Sequence, residues 1–384
     1  MARQTAFSVK PQDELFMARA LTLARRGQAL ASPNPMVGAV LVRDRRIVGE
    51  GFHTYDGLRH AEIIALEAAG GDARHATLYV NFEPCCHQGR TPPCTRALIS
   101  AGVARVVAAM ADPNPAVAGR GFRQLRAAGV EVELVEKFQE KSRRLNEAFA
   151  MWITKRRPFV TLKSAMTLDG QLVLPKSRWI TSEASRAEVQ LMRHASDALL
   201  TGIGTVLADD PKLTDRTGLP RRRRLLRVVL DSRLRLSPRS KLVRGARHDV
   251  LVFTRASSAG ARARTLRRAG LEIVTLPERA GKLDLQAALR ELARREIHSV
   301  LLEAGPTLNE AALNLDLVDK LRFFYAPKLA GSCSSSRGLH RIAAGSNKSA
   351  ARAGARLREL SGMRVEPFGP DFAVEAYLRD VYQR

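Results

Sequence analysis

The distribution of apolar and polar residues along the first part of the chain predicts alternating helices and strands. Apolar residues recur at helical spacing over residues 14–26, and short apolar runs around the polar turn 44–46 indicate a hairpin of residues 37–42 and 47–52. Further helices are predicted at 60–69, 95–101 and 121–128, and further strands at 77–82, 104–110 and 130–135. We expect these elements to form a three-layer α/β unit.

The second part of the chain alternates in the same way and is also predicted to be α/β. Strand-like runs occur at 159–163, 225–230, 250–253, 273–276 and 300–302, with helical patterns at 183–195 and 285–294. A charge-rich stretch at 136–144 separates the two parts. We therefore place the domain boundary so that one domain covers residues 1–146 and the other covers 147–384.

Composition narrows the class of protein. With 45% hydrophobic and 26% charged residues among 384, the chain can bury a sizeable core, which excludes a disordered or collagen-like protein. No segment approaches the ~20 apolar residues of a membrane helix, so no membrane partner is expected. Three of the four cysteines lie between residues 85 and 94. Such clustering is typical of a metal or catalytic site in a reducing compartment, and it predicts a cytoplasmic location.

The charge is strongly positive. Lys and Arg number 63 against 38 Asp and Glu, a formal net charge of +25, which leaves a nucleic-acid or phosphate-bearing partner open. Most of the excess falls in the second part, whose arginine clusters lack the interleaved aromatic residues of single-stranded nucleic-acid sites. We interpret the four arginines at 221–224, which follow Gly218-Leu219-Pro220, as a solvated loop.

A candidate metal site lies in the first domain. His60 and Glu62 open a predicted helix, and a later strand ends at Pro84-Cys85, which matches the front of the zinc-deaminase signature His-x-Glu … Pro-Cys-x-x-Cys. A catalytic zinc takes three protein ligands and keeps a fourth position for water. A carboxylate that is not a ligand then moves the proton, a role for which Glu62 is placed.

The third metal ligand is less obvious, because Gln88 stands where the signature expects its second cysteine. Cys86, His87 and Cys94 are the alternatives. Adjacent side chains such as those of Cys85 and Cys86 rarely converge on one tetrahedral ion. Cys94 lies just ahead of a predicted helix, whose N-terminus favours a thiolate, and we therefore predict His60, Cys85 and Cys94 as the ligands.

Several longer segments are more specific than this signature. The first part contains EPCCHQGRTPPC at 83–94, SPNPMVG at 32–38 and DPNP at 112–115. Together they resemble the bifunctional deaminase/reductase family of riboflavin biosynthesis. The second part contains TLDG at 167–170, SRWIT at 177–181, GTVLADDP at 204–211 and EAGPTL at 303–308, which are similar, in order, to the reductase domain of that family. The resemblance therefore covers essentially the whole chain.

For the first domain, the resemblance implies a cytidine-deaminase-like fold with one Zn²⁺ and with Glu62 as the catalytic proton shuttle. The implied zinc ligands are His60, Cys85 and Cys94. Asn34 and His87 resemble residues that line the pyrimidine pocket, although His87 equally suits a surface loop. The implied substrate is 2,5-diamino-6-ribosylamino-4(3H)-pyrimidinone 5′-phosphate, which is hydrolytically deaminated to the corresponding uracil.

For the second domain, the resemblance implies a dihydrofolate-reductase-like fold that uses NADPH to reduce the ribosyl group to ribityl. The implied cofactor contacts are Trp179, Thr205, Asp209, Ser232, Gly305, Pro306 and Thr307. The implied substrate contacts are Ser177, Arg193, Leu213, Arg216 and Glu303. Arginine forks suit a sugar phosphate, and a glycine-bearing turn before a helix suits a cofactor phosphate. The Rossmann fingerprint itself is not met, because Leu207 occupies its third glycine position.

Two other functions compete with this one. A base deaminase acting on tRNA would share the zinc site and use the basic second domain to hold RNA, but the insertion 89–93 and the small-molecule motifs of the second domain argue against it. A zinc-bearing scaffold without activity is disfavoured because Glu62 is present. We therefore expect small pyrimidine ribotides and no nucleic acid as partners, while a homo-oligomer stays open.

Overall fold

The chain divides into two compact units. The computed structural model describes residues 11–172, 174, 179–256, 260–330 and 357–383. One unit comprises Met1–Arg156 with Pro220–Arg223, and the other comprises Arg157–Leu219 with Arg224–Arg384. Both units contain helices and a sheet, which confirms the predicted α/β class. The division into catalytic domains at residue 146 stays a prediction.

The first unit contains a five-stranded mixed sheet. Its strands are β1 (Gly38–Arg43), β2 (Arg46–Phe52), β3 (Thr77–Val80), β4 (Arg105–Ala108) and β5 (Glu131–Leu134). They are ordered β2-β1-β3-β4-β5, with β1 antiparallel to both neighbours and β3, β4 and β5 parallel. The helices are α1 (Pro11–Arg25), α2 (Ala61–Ala69), α3 (Cys94–Ser100), α4 (Arg120–Ala127), α5 (Gln139–Leu145) and α6 (Glu147–Lys155).

Glycines on β1 and β2 allow helices to lie directly on both faces of this sheet. A Cβ on Gly38 would lie 2.1 Å from the Ala20 carbonyl oxygen in α1, and one on Gly51 would lie 2.3 Å from the Ala61 carbonyl oxygen in α2. Gly51 pairs with Ala39, the neighbour of Gly38, so the two glycines face opposite sides of the sheet. The predicted three layers are therefore confirmed, and the beginning of α2 is held against the sheet.

The second unit is built on a nine-stranded sheet ordered β10-β9-β8-β7-β13-β6-β14-β16-β15. The strands are β6 (Phe159–Thr167), β7 (Ala198–Gly202), β8 (Leu226–Leu230), β9 (Val250–Thr254), β10 (Glu272–Thr275), β13 (Ser299–Leu302), β14 (Lys320–Ala326), β15 (Ser361–Phe368) and β16 (Asp371–Tyr377), with a separate ribbon of β11 (Glu278–Arg279) and β12 (Lys282–Leu283). All neighbours from β10 to β14 are parallel, and β16 is antiparallel to β14 and β15.

Within the described part of this unit, six helices accompany the sheet. They are α7 (Glu183–Ala195), α8 (Ile203–Asp209), α9 (Lys241–Arg244), α10 (Ala261–Arg268), α11 (Leu285–Arg294) and α12 (Pro306–Asn314). Helices α7 and α11 begin and end where the sequence pattern predicts. Their N-caps explain this agreement, because the side chains of Ser182 and Asp284 accept hydrogen bonds from the free N–H groups of the first turn. No helix within the described ranges is long and apolar enough to cross a membrane.

The arginine cluster at 221–224 requires a correction. The prediction of a solvated loop is wrong for Arg222, whose side chain is only 18% exposed and forms an ion pair with Asp56. The reason is that Pro220–Arg223 packs as part of the first unit, which the local sequence does not reveal. Arg224 is exposed, as the pattern predicts.

Candidate functional site

Three potential metal ligands meet where α2, α3 and the loop after β3 come together. His60 directly precedes α2, Cys85 lies in the loop, and Cys94 is the first residue of α3. Their ligand atoms all lie within 4.8 Å of one another. The Nδ1 atom of His60 is 3.2 Å from the Sγ of Cys94 and 3.4 Å from the Sγ of Cys85, so this side of the imidazole faces the thiols. The fold thus brings together the three ligands predicted from sequence.

The electrostatics of this cluster fit a bound zinc ion. The hydrogen bond between the sulfurs lowers the pKa of Cys85 to about 4 and raises the pKa of Cys94, so the pair shares one proton. Zinc prefers thiolate sulfur and imidazole nitrogen, and its binding displaces such protons. Three protein ligands leave one position of a tetrahedral ion for water, as in catalytic rather than structural sites.

Glu62 lies beside the cluster without belonging to it. It is in the first turn of α2, two residues after His60, and its side chain is 3% exposed. Burial raises the pKa of its carboxyl group, whereas the charge of His60 opposes that shift. A buried carboxyl group outside the ligand set is suited to carry protons during catalysis.

A hydrogen-bonded pair borders the metal cluster. The family resemblance implies Asn34 as a pocket residue, whereas the sequence carries no signal for His53 beyond its place on the loop that leads to His60. Asn34 Nδ2 donates to His53 Nε2 at 2.9 Å, and His53 Nδ1 donates to the Arg59 carbonyl oxygen at 2.8 Å. Burial lowers the pKa of His53, which keeps the ring neutral. The His53 and His60 rings meet edge to face, with centroids 5.3 Å apart.

The insertion before Cys94 contributes two further groups near the cluster. Thr91 Oγ1 lies 3.4 Å from His60 Nε2, the ring nitrogen opposite the thiols. The guanidinium of Arg90 lies 4.4 Å from the centroid of the Tyr55 ring. His87, which the resemblance implies as a lining residue, is exposed and makes no hydrogen bond to the part of the chain that the structure describes. Its geometry therefore fits the surface-loop alternative.

Glu83 fixes the backbone on the other side of Cys85, and the sequence pattern does not single it out. Its buried carboxylate accepts hydrogen bonds from the backbone N–H groups of Asp112, Gly119, Gly121 and Phe122, at 3.0, 2.9, 2.8 and 3.3 Å. These four hydrogen bonds connect the loop after β4 and the beginning of α4 to the loop after β3, which carries Cys85. Glu83 therefore acts on the geometry of the site rather than on its chemistry.

In the second unit, two residues implied as substrate contacts are paired with each other. Arg193 on α7 donates from Nε and Nη2 to the two carboxylate oxygens of Glu303, at 2.7 and 2.9 Å, and from Nη1 to the Thr214 carbonyl oxygen at 3.2 Å. The guanidinium therefore holds Glu303 just beyond the end of β13. Lys163 on β6, which the sequence pattern missed, interacts with the same carboxylate: burial lowers the pKa of its amine, and the charge of Glu303 opposes that shift.

Several implied cofactor residues lie at the carboxyl ends of adjacent parallel strands. Strand β7 has β8 and β13 as its neighbours. Thr205 follows β7, Ser232 follows β8, and Gly305 follows β13. A Cβ on Gly305 would lie 3.9 Å from Thr205 Oγ1, so the loops after β7 and β13 are close together. Pro306 and Thr307 open α12 directly after this turn. In open α/β sheets, ligands bind at this edge.

The remaining implied residues of the second unit differ in exposure. Trp179 is 51% exposed, and Asp209 and Arg216 are also exposed. Leu213 is buried in a hydrophobic cluster of this unit, which fits a packing role. Ser177 lies outside the described residues.

Comparisons with known proteins support a deaminase domain in the first part of the chain and a RibD C-terminal domain in the second part. Residues 10–110 match the family model of the cytidine and deoxycytidylate deaminase zinc-binding region, and residues 158–371 match that of the RibD C-terminal domain. The riboflavin biosynthesis protein RibD of Escherichia coli is 44% identical over 343 residues, which cover 85% of this chain and 90% of that protein. Its counterpart from Synechocystis is 39% identical over 369 residues, covering 95% and 96%.

Two solved structures are similar to this chain over nearly its full length. Acinetobacter baumannii RibD has a TM-score of 0.80 at 36% identity, covering 95% of this chain and 98% of that one. A Thermotoga maritima protein described as a diaminohydroxyphosphoribosylaminopyrimidine deaminase/5-amino-6-(5-phosphoribosylamino)uracil reductase has a TM-score of 0.79 at 37% identity, with the same coverage.

The fold and the sites define a bifunctional enzyme in which a zinc-binding deaminase domain precedes a reductase domain. The reductase domain of such enzymes uses NADPH. The chain belongs to the RibD family of riboflavin biosynthesis. This assignment disfavours the tRNA-deaminase alternative.

Proposed function

We propose that the first domain deaminates 2,5-diamino-6-ribosylamino-4(3H)-pyrimidinone 5′-phosphate and that the second domain then reduces the ribosyl group of the product to ribityl. The observation that carries this proposal is the His60, Cys85 and Cys94 cluster with the buried Glu62 beside it, in one chain with a reductase domain. The activity described for the similar Thermotoga maritima protein supports the substrate class. The partners are small pyrimidine ribotides rather than nucleic acid, and the free cysteines at the site suit the cytoplasm.

In the deaminase site, the chemical role of each residue follows from its type. His60, Cys85 and Cys94 would hold the zinc ion, which would supply Lewis-acid activation of a water molecule. Glu62 takes one proton from the attacking water and passes it to the ring nitrogen. It then moves the proton of the newly added hydroxyl to the amino group, so that ammonia departs as the carbonyl forms. The Asn34–His53 pair orients the pyrimidine. No group within the described residues is hydrogen bonded to Asn34 Oδ1, which is therefore available to a ring N–H or amine.

In the reductase site, the reaction needs both a hydride and a proton. Bound NADPH would supply the hydride that C1′ of the sugar needs. The bond between C1′ and the ring oxygen breaks, and that oxygen takes up a proton. Lys163 suits this proton transfer because burial lowers the pKa of its amine. Arg193 holds Glu303, whose charge acts on Lys163, while the exposed Arg216 suits the substrate phosphate.

The turn before α12 suits the cofactor. Gly305, Pro306 and Thr307 place the beginning of a nine-residue helix next to Thr205, and the free N–H groups of such a turn favour a phosphate. Trp179, Asp209 and Ser232 stay proposed cofactor contacts, and Ser177 and Leu213 stay proposed substrate contacts. His87 stays a proposed pocket residue of the deaminase.

Separate measurements of ammonia release and NADPH oxidation test the proposal. The purified full-length chain is incubated with the diaminopyrimidine ribotide, with and without NADPH, while ammonia release and NADPH oxidation are followed. We expect ammonia in both reactions and oxidation only after deamination. Ammonia without NADPH oxidation would overturn the reductase half. Strong inhibition of ammonia release by added tRNA, relieved by salt, would instead favour the nucleic-acid alternative.

Thr91 is expected to tune zinc affinity. If His60 binds zinc through Nδ1, its Nε2–H donates to Thr91 Oγ1, a contact of the kind that orients metal-bound imidazoles. Thr91→Val should weaken zinc binding about tenfold, whereas Thr91→Ser, which keeps the hydroxyl, should bind like the unchanged protein. Competition with a chromophoric chelator measures this, and equal affinity of the valine and serine variants would contradict the role.

Arg193 is expected to support only the reductase. Arg193→Lys keeps the charge but loses the fork that grips both Glu303 oxygens, so reductase turnover should fall about tenfold while ammonia release is unchanged. Arg290→Lys, at an exposed position on α11, is the matched control. Equal NADPH oxidation rates for the two variants would show that the fork has no role in reduction.

A further inference from the structure

Arg222 reaches the first unit from a distant part of the chain. Residues Pro220–Arg223 belong to this unit by their contacts, although β6 and β7 of the second unit precede them in sequence. The backbone N–H of Arg222 donates to the Ala29 carbonyl oxygen at 2.9 Å, and its Nη1 donates to the Ser32 carbonyl oxygen at 3.0 Å. Both acceptors lie in the loop after α1, so the first anchor of Arg222 is on that loop.

The same side chain has a second anchor on a different loop. Its Nε donates to Asp56 Oδ1 at 2.9 Å, and its guanidinium carbon lies 3.7 Å from the centroid of the Tyr55 ring. Both residues belong to the loop between β2 and α2. The planar guanidinium therefore pairs with a carboxylate and stacks on an aromatic ring at the same time, which a lysine ammonium cannot do.

These two loops carry the two halves of the proposed pyrimidine contact. The loop after α1 leads directly into Asn34, and the loop after β2 begins with His53. The loops also touch through the Tyr55 N–H, which donates to the Leu30 carbonyl oxygen at 3.0 Å. Asn34 and His53 are hydrogen bonded at 2.9 Å, so their relative position depends on how the two loops are held together.

We propose that Arg222 is a positioning residue of the deaminase, which clamps the two loops so that Asn34 and His53 meet the pyrimidine in the correct geometry. The inference rests on the proposed function of the first domain. Among the described residues, the contacts of Arg222 include neither a predicted zinc ligand nor Glu62, so its effect is on substrate placement rather than on the metal or the proton transfer. The deaminase pocket is thus completed by a segment that follows it far along the chain.

The test compares Arg222→Ala, Arg222→Lys and the matched control Arg224→Ala in the full-length protein. We expect Arg222→Ala to raise the deaminase KM for the diaminopyrimidine ribotide about tenfold with a much smaller change in kcat, because misplaced binding groups weaken substrate binding. Zinc content and the NADPH-dependent reduction of the deaminated substrate should not change. The deaminase KM of Arg222→Lys should lie between those of Arg222→Ala and the unchanged protein. Arg224→Ala should have the KM of the unchanged protein.

Hydrogen exchange gives a second readout that needs no substrate. Arg222→Ala should speed amide exchange in residues 29–34 and 53–59 while leaving α7 unaffected. An unchanged KM together with unchanged exchange would overturn the inference. Equal losses of zinc, reduction and deamination would also overturn it, since they would indicate general destabilisation. If the unchanged protein releases no ammonia from the ribotide, the proposed function fails, and the exchange experiment alone then decides whether Arg222 clamps the loops.

Discussion

Glu62→Gln is expected to reduce ammonia release by about 10³-fold while the bound zinc is retained. The side chain is buried beside the metal cluster but is not among the ligands, so the amide should occupy the same space without disturbing His60. An amide cannot take a proton from water and return it to the substrate. The loss should therefore appear in kcat, because the proton has no other carrier in the proposed mechanism.

The experiment measures ammonia release, zinc content and NADPH-dependent reduction of the deaminated substrate on the same preparation. Glu67→Gln is the matched control, since Glu67 lies on the same helix with its side chain 49% exposed in an ion pair with Arg59. We expect the control to retain full deamination and both variants to reduce the deaminated substrate normally. Deamination by Glu62→Gln at the unchanged rate would show that the proton takes another route.

Much of the fold could be predicted because local signals agree with the final structure. The helical patterns of α7 and α11 begin directly after N-capping residues, so the first residues of these helices follow from sequence alone. Strands β14, β15 and β16 are not among the predicted elements. In β14 the polar residues Lys320 and Arg322 interrupt the apolar run, and β15 exposes most of its residues. Their pairing is set by distant partners, which a local pattern does not contain.

Some residues of the candidate sites could be predicted from sequence, whereas others could not. His60, Glu62, Cys85 and Cys94 have types and spacings that their chemistry requires, so the sequence points to them directly. His53, Lys163 and Arg222 have no such signal. Each becomes significant through an interaction with residues distant in sequence. His53 is hydrogen bonded to Asn34, Lys163 feels the charge of Glu303, and Arg222 joins two loops. Within a run of arginines, Arg222 cannot be distinguished from the exposed Arg224 until the fold is known.

Cys94→Ala is expected to abolish both zinc binding and deamination. The thiol is fully buried and lies 3.2 Å from His60 Nδ1, within the three-residue cluster. Removing one of three protein ligands leaves an imidazole and a single thiolate, which hold zinc far more weakly than the complete set. Cys94→Ser, which nearly preserves the volume but replaces the thiolate by a poor ligand, should give the same result and thereby exclude a packing effect.

Cys86→Ser is the decisive control for this prediction, because Cys86 is next to Cys85 in sequence but is not part of the cluster. We expect this variant to retain zinc, measured by atomic absorption after dialysis, and to release ammonia at the unchanged rate. Reduction of the deaminated substrate should continue in all three variants, since the proposed reductase residues belong to the second unit. Loss of zinc from Cys86→Ser with retention by Cys94→Ala would reverse the ligand assignment. If both Cys86→Ser and Cys94→Ala retained zinc, a donor other than Cys94 would have to complete the ligand set. The extended spacing between Cys85 and Cys94 would then have to serve substrate binding rather than zinc binding.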